Sequence, residues 1–139
     1  MSRRLAREIA FKVLFQVDLA GARPESSLGY LLEEMPLQEK YCSFARELVH
    51  GTLAELGAID RRISKYSPEW NIERMPTVDR NLMRLAVYEI LYTDIDPAIA
   101  IDEAVELAKT YGDENSKGFI NAILDRISGE KDDEIGARD

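Results

Sequence analysis

The sequence predicts an all-α fold, about seven helices in a compact single domain. Apolar residues recur at spacings of three and four through most of the 139 residues, and no useful length alternates with period two. Glycine, proline and short polar clusters cut this pattern into helix-sized pieces. Composition agrees: 45% hydrophobic and 32% charged residues describe an ordinary globular chain with one core.

The elements follow in order. Ser2 is placed to cap a first helix over Arg3–Ala20, with Leu5, Ile9 and Val13 in one apolar row. Arg3 and Arg7 are expected on its exposed side, with Arg4–Glu8 and Glu8–Lys12 as i,i+4 pairs. Gly21 stops that helix, and Ser26 or Ser27 caps a short second one bearing Leu28, Leu31, Leu32 and Met35. The row Leu37, Tyr41, Phe44 and Leu48 predicts a third helix. His50-Gly51 and Gly57 leave open whether it continues as one kinked helix or as two, ending at Lys65-Tyr66-Ser67 before Pro68. Trp70, Ile72 and Met75 are expected to anchor the next loop to the core. Thr77 then caps a helix over Val78–Thr93, in which Arg84 and Glu89 are the only charges between Leu82 and Leu91. A helix apolar nearly all round is a central one. Its first turns, with Asp79, Arg80 and Arg84, are expected to be exposed and open to a partner protein.

Asp96-Pro97 signals the start of the last hairpin. Ile101, Ala104, Val105 and Ala108 form one stripe, and Gly112 is a natural left-handed stop. Asn115 or Ser116 then caps a helix carrying Phe119, Ile120, Ile123, Leu124 and Ile127. The tip gathers Lys109, Thr110, Tyr111, Asn115, Ser116, Lys117 and Phe119. Ammonium, amide and hydroxyl groups beside an aromatic face suit the phosphates and unstacked bases of RNA. An ordinary capped hairpin has the same spacing, so spacing alone does not separate the two. After Ser128-Gly129, residues 130–139 are charged and aperiodic, which predicts a flexible tail beyond a domain over residues 1–129.

Charge and chemistry narrow the function classes. The total is −8, yet residues 1–12 hold Arg3, Arg4, Arg7 and Lys12 against Glu8 alone. An acidic body with a basic end can hold RNA locally while its bulk repels other polyanions. Cys42 and His50 are single, so neither disulfide nor metal cluster is expected, and no cofactor motif is present. The pairs Glu33-Glu34, Asp102-Glu103 and Asp113-Glu114 have no histidine beside them, which argues against an enzyme. No apolar run reaches the ~20 residues needed to span a bilayer, so a cytoplasmic protein is expected.

Three segments, Arg3–Ala20, Asp79–Tyr92 and Ile101–Ile127, together resemble the NusB family of bacterial transcription antitermination factors. They lie in the family's order, and the likeness runs from about Arg3 to Ser128. The resemblance implies an all-helical fold of two packed subbundles and no catalytic activity. It also implies binding of boxA-type single-stranded RNA together with the small-subunit ribosomal protein NusE, in an elongation complex with other Nus factors. The RNA contacts are then expected from Arg3, Arg4, Arg7, Lys12, Phe15, Lys65, Tyr66, Lys109, Asn115, Ser116, Lys117 and Phe119. Phe15 stands where many relatives carry tyrosine, and Phe15 and Phe119 could equally be core. The NusE contacts would come from Asp79, Arg80 and Arg84. A homodimer is compatible with the apolar pattern. The alternatives are an accessory module of the ribosomal-RNA cytosine methyltransferase type, for which the sequence shows no cofactor-binding segment, and a protein-only adaptor.

Overall fold

The computed structural model describes the backbone of residues 2–138 and the side chains of residues 3–131. Seven α-helices lie within these residues: α1 Ser2–Ala20, α2 Pro24–Glu34, α3 Glu39–Ala54, α4 Leu56–Lys65, α5 Thr77–Tyr92, α6 Pro97–Tyr111 and α7 Ser116–Arg138. A 3-10 turn at Ile72–Arg74 interrupts the long α4–α5 connection.

α5 is the central post. It packs against α1, α3, α4, α6 and α7, and so joins a first subbundle, α1–α3, to a second, α4–α7. Its apolar girdle, Leu82, Met83, Leu85, Ala86, Val87 and Ile90, is buried, as a helix with neighbours on every side requires. Ile9, Leu14, Leu28, Leu48, Ile59, Ile63, Ile120, Leu124 and Ile127 complete one continuous core.

Several helix ends differ from the sequence expectation. Gly21 does take the left-handed conformation (φ +67°) and closes α1 with bonds from its own N–H to Val17 and from Ala22 to Gln16. Gly112 does not: it is extended, with φ −92° and ψ −175°. Its missing side chain serves proximity instead, since a Cβ there would lie 2.5 Å from Ser116 Oγ. Gly51 likewise leaves α3 intact and makes room for the Tyr88 ring, which a Cβ would meet at 2.2 Å. α3 and α4 are two helices, parted at Glu55.

α2 begins at Pro24, two residues before the expected serine caps. Ser27 is buried and hydrogen-bonds Gln16 of α1. α5 starts at Thr77 itself and has no side-chain cap, whereas Asp96 caps α6 by accepting from Ala98 N–H at 3.0 Å. The side chain of Ser2, expected as the first cap, lies outside the described residues.

α7 does not stop at Gly129. Glu130 bonds Lys65 at 3.0 Å and also Tyr66, and the Lys131 ammonium reaches the carbonyls of Ile90 and Thr93 at the end of α5. A cation at a helix C-terminus meets both the macrodipole and its unpaired carbonyls. The first two residues of the expected flexible tail are therefore tied to α4 and α5. The side chains of residues 132–139 lie outside the described residues.

Candidate nucleic-acid interface

Long side chains link α1 to α6 at two levels, in the same order along both helices. Arg4 of α1 bonds Glu103 of α6 through both ends of its guanidinium, at 3.1 Å each. Two turns further on, the Lys12 ammonium lies 5.8 Å from the ring centroid of Tyr111, at the end of α6. Phe11 packs on Tyr111 at 5.3 Å and on Phe15 at 6.1 Å. Together with Gln16 and Val78 these residues line a groove of about 380 Å³. Phe15 and Tyr111 are half-buried: each ring is anchored to the core and shows part of its surface.

The loop from α6 to α7 adjoins this groove through the first turn of α5. Ser116 is buried, donates to Asp79 Oδ1 at 2.7 Å and accepts from Asp113 N–H at 3.0 Å. Asp113 in turn accepts from Asn115 N–H at 2.8 Å. The loop is thus held by its own polar groups and by α5, while Asn115 and Lys117 stay exposed on its outside. Lys109 is exposed and paired with Glu106 at 3.0 Å. Phe119 is half-buried and packs against Trp70 at 5.2 Å, on the side of the loop where Lys65 and Tyr66 also lie.

Several sequence assignments change. Arg7 is 5% exposed and makes a two-pronged pair with Glu89, at 2.8 and 3.0 Å. Its guanidinium is committed to Glu89 inside the fold, against the expectation of an exposed position on α1. Ser116 is a buried fastener, not a surface contact. Lys65 and Tyr66 both bond Glu130, which holds the Glu130 carboxyl below the usual carboxylate range, the Tyr66 hydroxyl being the largest cause.

The residues expected to meet a protein partner are also turned inward. Asp79 and Arg84 are buried. Arg84 holds Asp60 of α4 at 2.8 Å through two nitrogens and Asp18 of α1 at 3.1 Å. Arg80 pairs with Asp18 at 2.8 Å and donates to the carbonyls of Ile72 and Glu73. These charges brace α5 against its neighbours, so they offer a partner little. The signal was present: charges on a helix predicted to be central need partners inside the fold.

Burial holds the Asp79 carboxyl above its ordinary range, the Ser116 hydroxyl opposes this, and Asp113 adds to it. A folded-state pKa above the unfolded one means that this group favours folding at low pH. That contribution is lost as pH rises through the folded value. Asp79→Asn keeps an oxygen acceptor for Ser116 and loses the charge. Its stability at pH 7 should therefore match or exceed that of the parent, with a flatter pH dependence from the carboxylate range to neutrality. Asp79→Ala instead leaves the Ser116 hydroxyl only its longer bond to Asp113 Oδ1, at 3.3 Å, and should cost about 1 kcal/mol. Urea unfolding of both variants at acidic and neutral pH distinguishes these outcomes.

Comparisons with known proteins agree with the resemblance. Residues 4–129 match the model of the NusB family. The transcription antitermination protein NusB of Syntrophomonas wolfei is 54% identical over 132 residues, covering 94% of this chain and 98% of the relative. That of Pelotomaculum thermopropionicum is 53% identical, covering 91% and 89%. Among solved structures, T. maritima NusB superposes with a TM-score of 0.86 at 43% identity, covering 92% of this chain and 91% of that one. A complex of the antitermination factors NusB and NusE with double-stranded RNA gives a TM-score of 0.85 at 30% identity, covering 93% and 97%.

Proposed function

The chain belongs to the NusB family, and from that premise we propose that it is a cytoplasmic transcription antitermination factor. It binds boxA-type single-stranded RNA together with a NusE-type ribosomal protein and links that RNA to the elongating polymerase, notably on ribosomal RNA operons. Its role is binding, with no chemical step. The observation that carries this reading is the groove between α1 and α6. There a lysine, two half-exposed aromatic rings and an adjoining polar loop present phosphate-binding and base-stacking groups side by side.

Arg3 extends the cationic edge from the start of α1, with its guanidinium carbon 4.4 Å from the centre of the Phe44 ring. Arg4 is a weaker phosphate contact, because Glu103 already holds it through two nitrogens. Lys109, Asn115 and Lys117 continue the surface at the other end. A basic ribosomal partner suits the acidic remainder of the chain, whose total charge is −8. Its surface must lie elsewhere than on the inward-turned Asp79, Arg80 and Arg84.

Electrophoretic mobility of a boxA-like RNA tests the proposal, with this protein alone and with a NusE-type partner. Retardation that strengthens with the partner and weakens for a scrambled RNA is the expected result. A duplex of the same sequence gives a second arm, because the NusB–NusE neighbour was solved with double-stranded RNA. Absence of retardation for every RNA would leave the protein-only adaptor.

A further inference from the structure

Trp70 was expected to anchor its loop to the core, yet it is 41% exposed. Tyr30 and Tyr92 are exposed at least as much, so exposure alone decides nothing; what bears on function is the open groove beside Trp70. Its indole packs at 50° against Phe119, and both rings border an open groove of about 610 Å³ completed by Tyr66, Pro68, Ala122 and Ile123. On its other side the indole borders a second opening, toward Asn71 and Arg74.

The segment that presents Trp70 is held firmly. Its N–H bonds the Ser67 carbonyl at 3.1 Å, and the Asn71 side chain caps the turn that follows by accepting from Glu73 N–H. Arg80 clamps the carbonyls of Ile72 and Glu73 while paired with Asp18. The ring is therefore pre-organised as a platform.

We infer that the Trp70–Phe119 groove is a stacking slot for one unpaired RNA base, a second station on the strand that enters at Lys12, Phe15 and Tyr111. The inference rests on the RNA-binding reading. Continuity supports the choice of occupant. Phe119 lies one turn along α7 from Ser116, which is bonded to α5 directly beside Val78 of the first groove. Exposed cations nearby supply charge complementarity: Arg126 lies over the Tyr66 ring at 4.9 Å, Arg74 borders the adjoining opening, and Lys65 is shared with Glu130. Glu69 at the same rim disfavours a phosphate inside, so the base enters and the backbone stays at the edge.

The slot has little means of reading base identity. The Tyr66 hydroxyl is committed to Glu130, and the Ser67 hydroxyl to the Ile63 carbonyl at 3.0 Å. What remains is apolar and aromatic surface, on which any base stacks.

Trp70 is the only tryptophan of the chain, so its fluorescence reports on the slot directly. Adding boxA-like RNA to the full protein should quench this emission with the same midpoint as the mobility shift. Trp70→Ala should weaken RNA binding roughly 5- to 100-fold, while Trp70→Phe should stay within about threefold of the parent. Exchanging single bases for one another should identify a position where affinity falls on base removal but not on base exchange. Because Trp70 is partly exposed, both variants should keep the parental circular dichroism and melting. RNA that binds with unchanged emission and unchanged Trp70→Ala affinity overturns the slot and leaves the α1–α6 site standing. Loss of partner binding alone in Trp70→Ala assigns the surface to protein and also overturns it. No binding of RNA by the parent removes both readings.

Discussion

Arg7→Met should destabilise the fold by about 3–5 kcal/mol, because it leaves the Glu89 carboxylate buried without its counter-charge. Glu89 is 3% exposed, and both of its oxygens accept from Arg7. In a domain whose total stability is ~5–15 kcal/mol, the loss should lower Tm by roughly 10 °C or more. Glu89→Leu alone should be comparably harmful, since it strands the guanidinium. The double variant Arg7→Met with Glu89→Leu should recover most of the loss, because removing both charges also removes their desolvation cost. Urea unfolding of the four proteins completes the cycle. The result that would contradict this assignment is an Arg7→Met protein as stable as its parent but impaired in RNA binding, for then the arginine would act at the surface.

The second large effect concerns RNA and salt. Changing Arg3, Lys12 and Lys117 together to alanine should weaken boxA RNA binding about 10- to 100-fold at low salt. Arg3 and Lys117 are exposed and Lys12 is half-buried, so the fold should survive. Each phosphate contact on a single strand contributes about −0.7 to the slope of log K against log salt, so the triple variant should be shallower by ~2. Glu103→Gln should act in the opposite direction, since it releases Arg4 from a partner that holds it through two nitrogens. Titrations over a range of salt concentrations measure both. An unchanged slope in the triple variant would mean that these cations do not neutralise phosphates and would remove the α1–α6 groove from the RNA path.

The helices and their inward faces were legible because periodicity is local. The central place of α5 could be read from the near-absence of charge between Leu82 and Leu91, and the Asp96-Pro97 start of α6 from capping chemistry. Glycine was harder. Gly21 behaves as its position in the sequence suggests, whereas Gly51 and Gly112 answer to Tyr88 and Ser116, and only the packed chain brings those atoms close. The first residues after Gly129 were hidden for a related reason. Glu130 and Lys131 look like a solvated tail until α4 and the last turn of α5 stand beside them.

The candidate site divides in the same way. Local pattern was enough for the helical class, most of the inward faces and the cationic and aromatic residue types near two helix ends. It could not rank one arginine against another. Arg3, Arg4 and Arg7 occupy one stretch of α1, yet one is open over an aromatic ring, one is bridged to α6, and one is buried on α5. Packing separates the three, because the fate of a charge depends on the dielectric around it and on its nearest opposite charge. For Arg7 that charge is 82 residues away in the chain.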